Sequence, residues 1–537
     1  MDHQTTISPE LRERMGEQNI DVELSLSILD AYNNGQFDHF TPISVAEIPN
    51  VDGSTVIDFT TDPSLQIDGS AARERLAELV PEEVIDALPQ IAKENDGVLT
   101  FDRKALEHLG LLLMPRVAYG VLNGGSATSY ADKTKNSGFS EELFALMEDE
   151  FARMAEVSRG RAKGLTPAFV QPDGSFGPSF LQLKMRNLLV TAMRSRAALE
   201  ALAPGCADEL PMALLPFFQM TSIHTDDELA SSYREYRSDP MLADLIALTG
   251  LDPTDPESAV QPLISAYTHS EKGRPKEIFA NAYGREGEPL PLPGGHGQNF
   301  AVLKEVYRRL HDAGKRFVYL GNVDNLGFLP DPVEVAYLAL TGKQAGFDFA
   351  YKTPVDVKGG ILVRDTKGRL NCADIGPAVS KEDVAEAQDA GKPILFNAAT
   401  GLFNLDYLVS NIDHITKELP TRFTDQNKDA GKYSQAEQVT WEVLGMLDDF
   451  LVFSVSKWNR LLAAKLLSET LMTSGIKLDS PDYPTSDDPA TDLQGTAQKL
   501  HDGLVAKLET EYQMQRTDGL WSAVPAAEIE RRFTGNG

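Results

Sequence analysis

Apolar residues recur at helical spacing early in the chain, at Val22, Leu26 and Leu29 and again at Leu76, Leu79, Val84 and Leu88, inside otherwise polar stretches. The spacing predicts a helical N-terminal segment over residues 1–110. From Arg116 the texture changes. β-rich apolar runs alternate with amphipathic helices through 111–472, which predicts an α/β domain built on a doubly wound sheet. The clearest unit begins at Gln298: Phe300, Leu303, Val306 and Leu310 recur as on one helix face, Gly314 supplies a stop, and a buried strand follows over 316–320. Further strands are expected at 117–122, 212–218, 348–351, 360–363 and 393–396. Leu143, Leu146, Glu150 and Met154 predict an added helix at about 139–156. Beyond residue 473 the chain turns polar and loop-rich, reading as a linker over 480–489, and a helix is expected over 494–515 with Leu500, Leu504 and Leu508 on one face.

Composition narrows the chemistry. With 537 residues and 42% hydrophobic side chains, the chain can bury a large core in two or three domains. Its 50 basic and 80 acidic residues give a formal charge of −30, which repels a phosphate backbone and argues against nucleic acid as the main partner. Phosphorylated small molecules remain compatible, because a lysine, a helix N-terminus or a metal offsets the repulsion locally. Two cysteines, Cys206 and Cys372, exclude a disulfide framework and a multi-cysteine zinc site. No apolar run reaches the roughly 20 residues a membrane helix needs, and the first residues lack a signal-peptide pattern. A cytoplasmic protein without membrane contact is expected.

Four short motifs could carry chemistry. Leu122-Asn123-Gly124-Gly125-Ser126-Ala127-Thr128 follows a strand, and its adjacent glycines let backbone N–H groups approach a base or phosphate. It matches neither the dinucleotide fingerprint nor the P-loop, and taken alone it reads more readily as an ordinary strand-to-helix turn. Gly294-Gly295-His296-Gly297 precedes a helix and is either an anion-facing element or a tight turn. Asn322-Val323-Asp324-Asn325 leaves a strand at its carboxyl end, where ligands of open α/β sheets collect. Asp324 could hold Mg²⁺, or simply close an Asx-turn. Asp356-Val357-Lys358-Gly359-Gly360 sets a lysine beside glycines, suited to a phosphate or to a hairpin bend.

Taken in order, these motifs resemble the UTP–sugar-1-phosphate uridylyltransferases, the family of eukaryotic-type UDP-glucose pyrophosphorylase, over roughly residues 117–462. Ser179-Phe-Leu-Gln-Leu183, Pro216-Phe-Phe-Gln-Met220-Thr-Ser-Ile-His-Thr225, Lys352-Thr353 and Phe396-Asn397 extend the series. The resemblance implies a Rossmann-like, GT-A-like nucleotidyltransferase sheet flanked by helices, with helical N- and C-terminal segments. It implies UTP and a sugar 1-phosphate as substrates, a UDP-sugar and pyrophosphate as products, and Mg²⁺ as cofactor. Leu122, Asn123, Gly124, Gly125, Thr128, Met220, Gly295 and His296 would then face the nucleotide. Asp324 would position the metal, and Lys358, Gly359, Gly360, Asn397 and Lys457 would face the sugar phosphate or pyrophosphate.

The chain departs from the family pattern in places. Ala127 stands where a second loop glycine is usual, so the turn must suit an alanine. The family's catalytic lysine follows the loop closely, whereas about thirty extra residues intervene here, and Lys163 is the candidate with Lys135 the alternative. Gln298 replaces an acidic residue, and Ala399-Thr400 stand where glucose enzymes often carry asparagine. Glucose 1-phosphate is the expected sugar. Galactose or N-acetylhexosamine 1-phosphate, a broad sugar range, and a non-catalytic UDP-sugar binder are the alternatives. No hexapeptide-like repeat marks a C-terminal β-helix, and the oligomeric state stays open.

Overall fold

A computed structural model describes residues 5–202, 214–353, 355–356, 359–488 and 491–535. Eleven of its strands form one mixed sheet: β1 (Val45–Glu47), β2 (Val56–Asp58), β3 (Val117–Leu122), β4 (Phe217–Ser222), β5 (Glu257–Gln261), β6 (Phe317–Asn322), β7 (Ala345–Tyr351), β8 (Gly360–Asp365), β9 (Leu370–Asp374), β10 (Leu395–Asn404) and β11 (Leu451–Val455). The main path runs β2-β11-β7-β10-β6-β3-β4-β5, and β8 branches from β10 to pair with β9 and β1. Pairs along this path are parallel except those made by β10, which runs against both β6 and β7. This reversed strand, with the antiparallel pairs that β8 makes to β10, β9 and β1, makes the sheet mixed.

Strands β3 and β6 are buried at nearly every position, as a strand covered on both faces must be. Tyr119, Val121, Phe317 and Tyr319 point to one apolar layer, with the helices Arg103–Leu113, Phe180–Leu202 and Pro332–Thr341. Ala118, Leu122, Val318 and Leu320 point to the other, with the helices Lys304–Asp312 and Leu405–Glu418. Two of the covering helices approach each other at a glycine. A Cβ on Gly110 would lie 1.8 Å from the Pro332 carbonyl oxygen, so only glycine permits that crossing.

Several sequence expectations need correction. Residues 1–110 are helical only in part: after the helices Pro9–Glu17 and Val22–Asn33 come β1 and β2, which join the main sheet, and a three-stranded sheet of Leu65–Asp68, Lys93–Asn95 and Val98–Phe101. Strands of three or four residues leave no readable period, and the partners of β2 lie at Val452–Ser454, almost 400 residues away. The inserted segment forms two helices, Glu141–Leu146 and Glu148–Ser158. The strand expected at 212–218 runs instead from Phe217 to Ser222, and 203–213 lie outside the described residues. The C-terminal segment adds a hairpin of Met514–Thr517 and Leu520–Ala523 to its helices Leu493–Thr510 and Ala526–Thr534. In the expected linker Tyr483 is 3% exposed in a cluster with Leu500, Leu504 and Leu508, while residues 481, 482 and 485–488 are exposed. Among the described residues no helix is long and apolar enough to cross a membrane.

Under the carboxyl ends of the strands lies a buried charge cluster. Arg460 donates to Asp348 at 2.9 Å, to Glu334 at 3.1 Å and to the Leu329 carbonyl at 3.0 Å, and Asp331 stands 3.9 Å away. Tyr319 donates to Glu334 at 2.9 Å. Burial raises both carboxyl pKa values against the pull of Arg460, Glu334 the more strongly, and a side-chain hydrogen bond joins the two. One guanidinium thus faces two carboxyls whose charged forms burial disfavours.

Three substitutions check this packing by urea unfolding. Arg460→Met leaves buried carboxyls without a cation and is expected to cost about 3–5 kcal/mol. Glu334→Gln places a neutral donor beside Asp348 and should cost less than about 1 kcal/mol, whereas a loss matching that of Arg460→Met would mean that Glu334 is ionised. Gly110→Ala forces the two helices apart and should cost about 1–3 kcal/mol or more.

Candidate functional site

The register of the sheet brings separate motifs into line. Leu122 pairs with Asn322 on one side and Met220 on the other, so the loops leaving β3, β4 and β6 emerge together at the carboxyl edge. The loop after β3 is then tied to a distant segment: Ala127 N–H donates to Arg161 O at 2.8 Å, and Lys163 N–H donates to Gly125 O at 3.0 Å. Glu228 fixes the same junction through the Ala162 N–H at 2.9 Å and the Arg161 guanidinium at 2.8 Å. The two inserted helices are therefore a closed excursion whose ends meet beside the loop. Ala127 is buried and, like Gly124 and Gly125, lies outside the left-handed region, so alanine fits there without strain.

Lys163 crosses from this junction to the turn after β6. Its ammonium stands 3.3 Å from Asp324 Oδ2, donates to Ala464 O at 2.6 Å and lies 3.7 Å from the Tyr130 ring centre. Burial lowers the lysine's pKa, and Asp324 works in the opposite direction. The Asx-type bond in this turn is made by Asn325, whose Oδ1 accepts from Gly327 N–H at 2.9 Å. Lys135, by contrast, is exposed and donates to Ser129.

Beside the pair opens a cavity of about 590 Å³. His296, Asp324, Gly359, Gly360, Asn397 and Lys457 line it, six residues from five separated motifs. Lys358 lies outside the described residues. Gly360 lies flat against β9, where a Cβ would come 2.4 Å from Cys372 Sγ. Gly295 has φ +83° and a Cβ there would lie 2.3 Å from Gln438 O, so the His296 turn requires glycine on both counts. His296 Nδ1 accepts from Thr440 N–H at 3.1 Å, which leaves the proton on Nε2. Burial, with a contribution from Lys465, lowers the imidazole pKa to about 4. The ring is neutral at pH 7.

Other predicted residues stay apart from the cavity. Asn123 turns its side chain inward, donating to Gln219 at 3.0 Å, and Leu122 and Met220 are buried. Gly125 and Thr128 are exposed on the loop, and Gly125 has open space above it. Lys457 reaches the cavity but is paired at 2.7 Å with Asp356, whose other oxygen accepts from Thr353 N–H at 2.9 Å and its hydroxyl at 2.7 Å. Sequence reading overlooked Lys465, an exposed cation on the same wall, 5.4 Å from the Phe396 ring centre. It also overlooked Arg422 and Glu442, an ion pair at 2.6 Å that lines the cavity as well. Lys465 follows Ala463-Ala464, with no pattern to mark it, and the Arg422–Glu442 pair exists only through folding.

Sequence and fold comparisons bear on this geometry. A sequence model of the family described as UTP--glucose-1-phosphate uridylyltransferase matches residues 278–478. The UTP--glucose-1-phosphate uridylyltransferase of Astragalus penduliflorus is 26% identical over 191 residues, 35% of this chain and 40% of that protein. A probable UTP--glucose-1-phosphate uridylyltransferase of Schizosaccharomyces pombe is 28% identical over 141 residues, 25% of this chain and 28% of that protein. The chain thus spans less than half the length of these curated relatives. Among solved structures, a point mutant of UDP-glucose pyrophosphorylase from Leishmania major superposes with a TM-score of 0.50 at 16% identity, covering 91% of this chain and 82% of that one. That likeness is one of fold, a mixed nucleotidyltransferase sheet flanked by helices. The matched segment contains the His296 turn, Asp324, Gly359, Gly360, Asn397 and Lys457, and over it the chain is similar to the UTP--glucose-1-phosphate uridylyltransferase family.

Proposed function

We propose that the protein is a nucleotidyltransferase that joins UTP to a sugar 1-phosphate, with glucose 1-phosphate as the preferred sugar, and releases pyrophosphate. The observation that carries this reading is the Lys163–Asp324 pair at the edge of a cavity also faced by a neutral histidine and by Lys457 and Lys465. A phosphate oxygen of the sugar 1-phosphate attacks the α-phosphorus of UTP in line, forming the new P–O bond while the bond to pyrophosphate breaks. The attacking phosphate is already ionised, so no general base is needed. The protein's tasks are alignment and charge neutralisation.

Each group has a role in this reading. Lys163 neutralises the phosphates of UTP, and His296 offers its Nε2–H as a neutral donor. Lys465 has the role first expected of Lys457, because Lys457 is already neutralised by Asp356. Asp324 would hold Mg²⁺. Its carboxylate suits a hard cation that takes its remaining oxygens from water and substrate phosphates, and no cluster of three or more ligating side chains exists among the described residues. The ion would supply positive charge between the phosphates. The sugar sits toward Gly360, Asn397 and the Arg422–Glu442 pair.

The decisive assay is pyrophosphate release from UTP with Mg²⁺ and a panel of sugar 1-phosphates, with glucose 1-phosphate expected to be fastest. Binding of UDP-sugars without turnover of any of them would overturn the reading. Lys163→Ala should lower kcat/KM about 10²–10³-fold, and near-normal turnover would remove Lys163 from the reaction. Lys465→Ala should raise KM for the sugar phosphate more than does Lys457→Ala, which instead leaves Asp356 unpaired and lowers Tm.

His296 makes a pH prediction. Its folded pKa lies below the unfolded value, so the unfolded chain binds more protons between about pH 6.5 and 4, and stability falls as pH drops through that window. His296→Gln should remove on the order of 2–3 kcal/mol of that acid-side loss in urea titrations at pH 7 and pH 4.5. An unchanged slope would mean that the imidazole is not desolvated.

A further inference from the structure

We propose that Lys184 and Tyr512 are positioning residues that hold the turn carrying Asp324, and that the C-terminal segment is thereby a working part of the nucleotidyl site. The kinetic side of this proposal rests on the function proposed above, while its structural side does not.

The turn after β6 presents three carbonyls to the interior. Asn325 O and Phe328 O accept from Lys184 Nζ at 2.8 and 3.0 Å, and Leu326 O accepts from Tyr512 Oη at 2.7 Å. The third contact of the lysine is Tyr119 Oη at 3.1 Å, and this hydroxyl in turn donates to Phe328 O at 2.6 Å. An ammonium has three hydrogens and no acceptor, so three converging oxygens satisfy it fully. Lys184 is 1% exposed and Tyr512 is fully buried, so water cannot replace either donor. A carbonyl stripped of its donor there would have to move to find another.

A buried lysine is a costly way to satisfy two carbonyls, since desolvation works against its charge and pulls its pKa down to about 7. What it offers beyond a hydrogen bond is positive potential close behind Asp324. The aspartate in turn favours the charged amine. Tyr512 is itself anchored. Arg186, two residues after Lys184 on the helix Phe180–Leu202, donates to the carbonyls of Tyr512 at 2.6 Å, Gln513 at 2.8 Å, Val524 at 2.7 Å and Met241 at 2.7 Å. One helix therefore grips the acidic turn directly through Lys184 and, through Arg186, grips the C-terminal segment that touches the turn again. Residues 493–535 brace the reacting edge from behind.

The test uses the full chain with Tyr512→Phe, which deletes only the hydroxyl, and Lys184→Met, which keeps the side-chain length. Both are assayed for turnover with Mg²⁺, UTP and the best sugar 1-phosphate, and for amide hydrogen exchange across 322–329. In Tyr512→Phe, kcat should fall about tenfold or more while KM for UTP changes by less than about twofold, because the defect lies in alignment and not in binding. Exchange in the turn should quicken about tenfold, with exchange in the helix Leu493–Thr510 unchanged. Lys184→Met should do the same more strongly. If it fails to fold, Tyr512→Phe decides alone. Wild-type kinetics together with wild-type exchange in the turn would overturn the proposal. Should the wild-type protein turn over no sugar 1-phosphate, the functional reading fails, and the exchange result still decides whether these residues hold the turn.

Discussion

The architecture depends on a cation that has no access to water. Arg460 lies at the end of the segment after β11, and its guanidinium gathers Glu334 from the helix Pro332–Thr341, Asp348 from β7 and the Leu329 carbonyl from the loop that follows β6. Its own backbone carbonyl accepts from Asn325 Nδ2 at 2.9 Å, and its main chain lies where a Cβ on Gly327 would stand, 2.5 Å from the Arg460 carbonyl carbon. Taking this charge out of water is unfavourable unless its partners are close and well aimed, and three stretches of chain must converge on Arg460 to supply them. A misplaced partner would leave an uncompensated charge. That requirement fixes where β6 ends and where the segment 456–465 crosses the sheet.

The site follows from this convergence. Asn325 is held by Arg460, and the carbonyls of the turn after β6 accept from Lys184 and Tyr512, so that Asp324 meets Lys163 across the gap. Because the segment 456–465 is anchored at Arg460, Lys457 and Lys465 stand on either side of it at the cavity wall. Lys163 arrives by another route, through a loop junction closed by main-chain hydrogen bonds after a long excursion. Alignment here is a property of backbone hydrogen bonds and buried ion pairs more than of flexible side chains, and groups positioned in advance can stabilise a transition state without reorganising.

The central sheet was legible in the sequence wherever burial on both faces left an unbroken apolar run, as in 117–122 and 316–320, and wherever a glycine marked a tight approach, as at Gly295 and Gly360. Short strands such as β2 were not, because three residues carry no period and their partners lie hundreds of residues away. Asp324 and His296 could be picked out because their motifs sit at strand and helix ends. Lys184 and Arg460 could not. A lysine or arginine within an apolar stretch reads as surface until the fold brings carbonyls or carboxylates around it. Lys457 illustrates the opposite error: its place near the cavity was readable, but its neutralisation by Asp356, about a hundred residues earlier, was not.

The charge balance of the cavity closes the argument. Asp324, Asp356, Asp374, Glu442 and Glu469 line it, against Lys457, Lys465 and Arg422, with Lys163 behind. Burial raises the pKa of Glu442 and Glu469, which tempers part of that acidity. The cations are also largely spoken for: Lys163 by Asp324, Lys457 by Asp356 and Arg422 by Glu442. Each acid holds its base in a defined place before any ligand arrives, so the site is preorganised but nearly neutral. A triphosphate entering such a site needs positive charge beyond that of the fixed pairs. In the proposed reaction Asp324 would hold Mg²⁺, which would supply that charge, and Lys163 would meet the phosphates beside it. A protein with a formal charge of −30 can in this way bind a polyanion without any broad basic surface.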